Sequence, residues 1–307
     1  MVKLKSTEKN VFGGDWSLRK LECVANYLNA YLDVFKNMDW SALWYIDAFC
    51  GSGFQGIDRC RDADVDNEEA RIEFVEGSAI RALRVASNRD RVSQKSFDHF
   101  VFIECDAHKI DELKQYVGES FPDQYPKCQF ICADANDALP DCIGKMNWVS
   151  DRGVAFLDPC SLQLEWKTME CFRGTCIDVW CLFPIEAICR MLPNKHMPDE
   201  SWTPKLNTVF GNNEWQSVYS QPRINQLPLF GEADDSFERN HGIDEILDYV
   251  KGRYRSIFPE VMDPAILRGE KNSPLFALFP LIANESKKAR AIAARISEHL
   301  VRSINKT

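Results

Sequence analysis

Four acidic residues, each at or just past the end of an apolar segment, are the side chains of this sequence best placed to bind a ligand. They are Asp47, Glu104, Asp134 and Asp158. The segments before them are rich in β-branched and aromatic residues, which predicts strands. Because the carboxyl ends of parallel strands meet at one edge of an open sheet, where ligands bind, we predict that these acids share one site.

The turn after the first predicted strand suits a close approach between backbone and ligand. The run YIDAFCGSG (45–53) joins an apolar strand and an acid to a Gly-x-Gly turn, and Gly56 completes a GxGxxG spacing. Glycine allows positive φ angles and leaves room for a ligand beside the chain. NAD-binding and S-adenosylmethionine (SAM)-binding proteins share this pattern, and a tight turn without a ligand is the structural alternative.

The acids after the second and third strands have two competing interpretations. Glu104 can accept hydrogen bonds from both hydroxyls of an adenosine ribose, and Asp106 either adds to this contact or caps the next helix. Asp134 and Asn136 follow the third strand, where an acid or an amide suits the exocyclic amine of adenine. A helix N-cap is the structural alternative for both residues.

Asp158 is the candidate catalytic residue because of its place in the run FLDPCS (156–161). A carboxylate at a strand end, fixed by the proline that follows, can accept a hydrogen bond or a proton from an amine substrate. A strand-terminating Asp-Pro turn is the structural alternative.

Strands and helices alternate over residues 43–192, which predicts a parallel sheet with helices on both faces. The expected fold class is therefore α/β, with a Rossmann-like sheet of five parallel strands that a C-terminal antiparallel hairpin extends to seven. An amphipathic helix at 16–36 precedes the sheet, a polar loop fills 54–70, and Ser78 is the expected N-cap of the next helix. The predicted units are a helical extension (1–43), a cofactor-binding Rossmann-like core (44–192), an inserted cap (193–257) and a terminal hairpin with a helix (258–307).

Composition limits the class of protein. The chain has 37 Lys and Arg against 46 Asp and Glu, a net charge of −9, which argues against a surface that is basic throughout. Basic clusters at 81–91 and 287–295 leave a local nucleic-acid groove open. The 12 cysteines form no CxxC pair and the five histidines are scattered, so we expect no metal site. No segment approaches about 18 continuous apolar residues, and the expected location is cytoplasmic, without a membrane.

The blocks YIDAFCGSG, EGSAIRAL, FVFIECD, DAND, RGVAFLDP and CIDVWCLFP, in this order, resemble the three-Cys-motif partner (TcmP) family. The resemblance covers most of the chain and is patchy at 54–75 and 193–240. The same blocks resemble, more distantly, the ribosomal-RNA adenine-N6 methyltransferases that carry a DPPY motif. Both resemblances imply a class I SAM-dependent methyltransferase fold with SAM as cofactor. The first also implies a separate three-Cys-motif protein as partner.

The resemblance implies roles for the residues that match the family blocks. Lys20 would close over the site from the N-terminal helix, Ser78 matches a SAM-binding serine, and Asp158 would accept a hydrogen bond from the target amine. The implied cofactor-binding residues are Lys20, Asp47, Gly51, Ser52, Gly53, Ser78, Glu104, Asp106, Asp134, Ala135 and Asn136.

Cys160 and Ser161 stand where DPPY has Pro and Tyr, so the tyrosine that stacks on a flipped base is missing. Trp166, a few residues further on, offers either another aromatic face or a core position. The expected reaction is methyl transfer to a nitrogen, with adenine N6 of RNA or DNA as one acceptor. A small molecule or a protein is an alternative acceptor, and a SAM-binding, non-catalytic partner subunit is a different alternative.

Overall fold

The computed structural model describes the chain over residues 14–38, 41–58, 72–193, 197–220, 238–239, 242–269 and 272–306. In this part, the helices are α1 (Asp15–Val34), α2 (Ser78–Asp90), α3 (Ala107–Ser120), α4 (Ala135–Gly144), α5 (Trp166–Met169), α6 (Ile185–Met191), α7 (Thr203–Phe210), α8 (Ile243–Tyr254) and α9 (Lys287–Asn305). The strands are β1 (Ala42–Asp47), β2 (Phe54–Asp58), β3 (Ile72–Glu76), β4 (His99–Glu104), β5 (Cys128–Cys132), β6 (Asp151–Leu157), β7 (Ile177–Phe183), β8 (Tyr219–Ser220), β9 (Glu238–Arg239), β10 (Glu260–Val261), β11 (Ala265–Arg268) and β12 (Pro274–Ile282).

One mixed sheet organises the chain, in the order β5-β4-β1-β6-β7-β12, with β10 and β11 both paired to the outer side of β12. The first five strands of this order run parallel, and β12 runs antiparallel to β7. The predicted α/β class, with five parallel strands and a terminal antiparallel hairpin, is confirmed. The Rossmann-like order places the ends of β4, β1 and β6 side by side.

Apolar side chains of the sheet alternate between its two faces, as the period of a strand requires. Tyr45 and Phe100 enter a cluster covered by α1, α2, α3 and α9, whereas Ile46 and Val101 enter a cluster covered by α4 to α8. Both faces are therefore buried, which explains why the strands are almost continuously apolar in sequence.

Three expectations are corrected by the structure. The sheet has eight strands because its outermost run divides at 262–264, and Pro264 has no N–H to donate to a ladder. Residues 54–58 are not a loop: they form β2, antiparallel to β3, and Phe54 packs edge-on against Tyr116 of α3 with ring centroids 4.8 Å apart. Residues 59–71 lie outside the described part. Gly77, and not Ser78, is the N-cap of α2, because the Ser78 side chain bonds Asp47 instead.

The region after α6 adds a cover to the carboxyl side of the sheet. Leu206 and Phe210 of α7 and Trp215 beyond it are buried in the cluster under α4 to α8. Residues 194–196, 221–237 and 240–241 of the predicted cap lie outside the described part. Over the residues that the structure describes, no helix is long and apolar enough to cross a bilayer.

Candidate active site

All four predicted acids lie at or just past the ends of neighbouring strands of the sheet. Asp47 is the last residue of β1, Glu104 is the last residue of β4, and Asp158 follows β6. Asp134 comes two residues after β5, which lies beside β4. The expected acidic edge is therefore present at the carboxyl ends of the parallel strands.

The glycine turn after β1 contacts the acid at the end of β4. The backbone N–H of Gly51 donates to Glu104 Oε2 at 3.1 Å, and the N–H of Asp106 donates to Glu104 Oε1 at 3.0 Å. Gly51 has φ +60° and Gly53 has φ +86°, so the backbone of the turn favours glycine at both positions. Ser52 lies between them and is half-buried. The turn and Glu104 thus form one wall of the site.

The two glycines of the turn should respond differently to alanine. A Cβ on Gly53 would lie 2.8 Å from Leu113 Cδ1 and 3.0 Å from Ile80 Cγ1, whereas a Cβ on Gly51 would meet nothing within 4 Å. We expect Gly53→Ala to lower the free energy of unfolding by about 1–3 kcal/mol more than Gly51→Ala, because both residues have positive φ and only Gly53 adds overpacking. Urea denaturation of the two variants measures this difference. Equal losses of unfolding free energy would show that the Leu113 and Ile80 side chains move to accommodate the new methyl group.

Asp47 lies at the centre of a buried hydrogen-bond network. Its carboxylate accepts hydrogen bonds from the Tyr45 hydroxyl at 3.2 Å, from the Phe49 N–H at 3.4 Å, and from the Ser78 side chain. The pKa of Asp47 is raised from 3.8 to about 7: burial is the main cause and the nearby charge of Asp158 adds to the rise, while these hydrogen bonds oppose it. Asp47 and Ser78 thus belong to one hydrogen-bond network, and the charge of Asp158 is close enough to raise the pKa of Asp47.

Lys20 of α1 forms an ion pair with Asp158. Lys20 Nζ contacts Asp158 Oδ2, and the Lys20 side chain is only 2% exposed against 14% for Asp158. The ammonium also lies 5.3 Å from the centroid of the Trp16 ring and 6.0 Å from that of Phe156. The N-terminal helix therefore reaches the acidic edge through a buried cation with aromatic neighbours.

The remaining predicted residues have structural contacts. Asp106 caps α3, because its Oδ1 accepts from the N–H groups of His108 and Lys109. Asp134 caps α4 through the N–H of Asn136 at 2.8 Å, and its side chain is exposed at the edge. Ala135 is buried as the first residue of α4.

Asn136 connects α4 to the loop after Asp158. Its Oδ1 accepts from the Glu165 N–H at 3.0 Å and from Thr168 Oγ1 at 2.8 Å, and its Nδ2 donates to the Gln163 carbonyl. Asn136 therefore positions the 159–166 loop. These hydrogen bonds account for an asparagine at this position without a role as helix N-cap or a contact with adenine.

A cavity of about 450 Å³, measured out to its open mouth, lies beside the loop that follows Asp158. Pro159 and Ser161 line it from the loop, and Arg253 and Tyr254 line it from α8. The Arg253 guanidinium lies 4.3 Å from the centroid of the Trp166 ring, which stacks on Tyr254. Sequence reasoning missed Arg253 and Tyr254, since they belong to an amphipathic helix with no local motif.

Two of the four arginines at 81–91, predicted as part of a nucleic-acid groove, form ion pairs within the protein. Arg84 forms a two-pronged ion pair with Glu76, Arg81 Nε donates to the Glu76 carbonyl, and the buried Arg89 pairs with Asp33. The charges of Arg84 and Arg89 are therefore largely neutralised, whereas Arg91, just after α2, is exposed.

The comparisons with known proteins find distant similarity to solved structures. No family model and no curated protein matches the chain. Protein LPL1258 from Legionella pneumophila str. Philadelphia 1, described as DUF519, is 13% identical over 97% of this chain and 94% of its own, with a TM-score of 0.47. Trm1 from Pyrococcus horikoshii, solved with SAM, is 12% identical over 98% and 79%, with a TM-score of 0.37.

A third solved structure, magnesium protoporphyrin IX methyltransferase from Synechocystis PCC 6803 with bound SAM, is 11% identical over 67% of this chain and 73% of its own, with a TM-score of 0.30. Identities and TM-scores this low leave the functional argument to the residues of the site. The resemblance to the three-Cys-motif partner family stays a prediction from the sequence.

Proposed function

We propose that this protein is a SAM-dependent methyltransferase that transfers a methyl group to a nitrogen atom. The observation that carries the proposal is the contact between the glycine turn after β1 and Glu104 at the end of β4. This contact joins a backbone loop suited to the methionine part of SAM to a carboxylate suited to a ribose. Asp158, on the next strand of the sheet, supplies a carboxylate for the acceptor.

The residues of this edge fit the cofactor. Gly51 has open space on the side where a Cβ would stand, and the Glu104 carboxylate is half-buried beside it. Asp134 and Ala135 at the end of β5 would lie along the adenine, as the resemblance implies. SAM would supply a methyl group on a positively charged sulfur.

The sheet favours SAM over a dinucleotide. The parallel dinucleotide-binding sheet continues beyond its fifth strand with another parallel strand. Here β12 runs antiparallel to β7 and stands between β7 and the outer strands β10 and β11. This arrangement supports the methyltransferase resemblance and weighs against NAD, although Glu104 alone suits the ribose of both.

Asp158 is the group proposed to hold the acceptor. Lys20 occupies Oδ2 and fixes the orientation of the carboxylate, so Oδ1 is the atom that accepts a hydrogen bond from the acceptor N–H. As the nitrogen gains the methyl group it must release a proton, and Asp158 can accept this proton or pass it to water. Lys20 is a positioning residue in this scheme.

A small acceptor is supported better than adenine in a nucleic acid. Trp166 is only 6% exposed, and its ring already packs against Gly211, Tyr254 and the Arg253 guanidinium, so no free face is left to stack on a flipped base. The cavity next to Pro159 combines aromatic walls with the Arg253 guanidinium, which suits a planar amine that also carries an acceptor of hydrogen bonds.

Calorimetric titration with SAM, S-adenosylhomocysteine and NAD tests the proposal. We expect both sulfur nucleosides to bind and Glu104→Gln to weaken them about tenfold to a hundredfold, because hydrogen bonds to a charged group are worth roughly 1.5–3 kcal/mol. Glu112→Gln, an exposed neighbour on α3, is the matched control and should bind like the wild type. Binding of NAD alone, or equal effects of the two variants, would contradict the proposal.

A further inference from the structure

A second groove lies at the opposite edge of the sheet, at the amino-terminal ends of β6 and β7. Arg152 is the second residue of β6 and Asp178 is the second residue of β7, and both line this groove. Tyr27 and Tyr31 of α1 form one wall, and the opposite wall is α9. Its volume is about 410 Å³, measured out to the open mouth. The proposed methyltransferase site does not use any of these residues.

Asp178 is the polar group at the base of the groove. Its side chain is 8% exposed, and its Oδ2 accepts a hydrogen bond from the Tyr27 hydroxyl at 2.7 Å. Over the residues that the structure describes, the Tyr27 hydroxyl is the one donor within hydrogen-bond distance of this carboxylate, which has about four lone-pair sites. A buried carboxylate with one donor has capacity for a further, charged donor.

In the described part of the chain, the charged and titratable side chains that line the groove with Asp178 are Tyr27, Tyr31, Arg152 and Cys176. On α1, burial raises the pKa of both Tyr27 and Tyr31 well above 10, so both remain neutral phenols. From β6, Arg152 donates through Nη1 to the carbonyls of Trp148, Val149 and Asp151 at the rim. Burial also raises the pKa of the Cys176 thiol.

The α9 wall contributes apolar side chains. The residues of this helix that line the groove are Ala289, Ile292, Ala293 and Ile296. Ile292 is 36% exposed, so an apolar side chain forms part of the mouth. The groove thus combines apolar walls, two phenol rings and one buried acid.

We propose that this groove binds a small organic ammonium ion with an aromatic or aliphatic body. The ammonium would donate to the Asp178 carboxylate beside Tyr27, and the body would pack between α1 and α9. The faces of the tyrosine rings add attraction for a cation. This proposal is independent of the methyltransferase function, because the groove lies at the other edge of the sheet.

Burial raises the pKa of Asp178 to about 7, so cation binding in the groove should depend on pH near neutrality. A cation binds the ionised carboxylate, so its affinity should rise as the pH rises through this value. The ionised fraction grows about tenfold between pH 6 and pH 8 for such a group, and the affinity should grow by the same factor.

Phenethylammonium and its neutral analogue 2-phenylethanol are suitable probes for calorimetry with the full chain. We expect the amine to bind at least tenfold more tightly than the alcohol at pH 8, and Asp178→Asn to remove both this preference and the pH dependence. Asn keeps an acceptor for the Tyr27 hydroxyl, so the variant should fold. Ile292→Trp, which fills the mouth from an exposed position, should weaken both probes without lowering Tm.

Equal affinity for the amine and the alcohol would overturn the proposal, as would an amine affinity that Asp178→Asn leaves unchanged. SAM binding, measured in the same samples, reports on the proposed methyltransferase site separately. Loss of amine binding with intact SAM binding in Asp178→Asn therefore supports the groove alone.

Discussion

Replacing Asp158 by alanine is expected to lower the free energy of unfolding by about 3–5 kcal/mol, because it leaves a buried charge without its partner. The charge is the ammonium of Lys20, which is 2% exposed and contacts Asp158 Oδ2. Lys20→Met should cost less, since the Asp158 carboxylate is 14% exposed and can reach water. Chemical denaturation of the two single variants measures this asymmetry.

A double variant separates the charge from the packing. Lys20→Met with Asp158→Leu removes both charges, so most of the loss seen in Asp158→Ala should be recovered. Asp158→Asn keeps an oxygen for Lys20 and should fold, yet it should slow methyl transfer about 10²- to 10⁴-fold once an acceptor is known. A double variant as unstable as Asp158→Ala would show that packing at this position, and not the ion pair, sets the stability.

Asp47→Asn is expected to change how stability depends on pH. The pKa of Asp47 is raised from 3.8 to about 7 in the folded chain, so between these values the folded state holds a proton that the unfolded state releases. This contribution to stability is complete below the unfolded pKa and is lost as the pH rises through the folded value. The variant should therefore gain stability relative to the wild type by about 1.4 kcal/mol per pH unit across this window.

Urea titrations at several pH values measure the difference between Asp47→Asn and the wild type. Asp178→Asn is the matched comparison, because burial raises the pKa of Asp178 to about 7 as well and the sign is the same. The two variants lie at opposite edges of the sheet, so their effects should add. A difference between Asp47→Asn and the wild type that does not vary with pH would contradict the raised pKa.

The sheet and its acidic edge follow from local patterns in the sequence. Each apolar run is short and is followed by an acid or by a glycine turn, which predicts parallel strands that end at one edge. The α1 helix and the terminal hairpin also follow from local periodicity and from the turn at 269–273. These features depend on neighbours within a few residues, and the sequence contains that information directly.

The partners of the buried polar groups do not follow from local patterns. Lys20 and Asp158 are separated by 138 positions, and Tyr27 and Asp178 by 151. Asp178 lies within an apolar strand, and none of its sequence neighbours indicates that it lines the floor of a groove. Local chemistry was likewise ambiguous at Asp106 and Asp134, which suit a ligand or a helix cap equally well until the hydrogen bonds are seen.

The position of β12 sets the order in which the sheet can close during synthesis. All seven residues of β7 are buried in the folded chain, and one side of this strand is covered by β12, which begins only at residue 274. Until that segment has left the ribosome, the growing chain carries an apolar strand with an open edge. Such an edge can pair with another chain, so a nascent chain has to be protected from its neighbours until β12 has been made and has paired with β7.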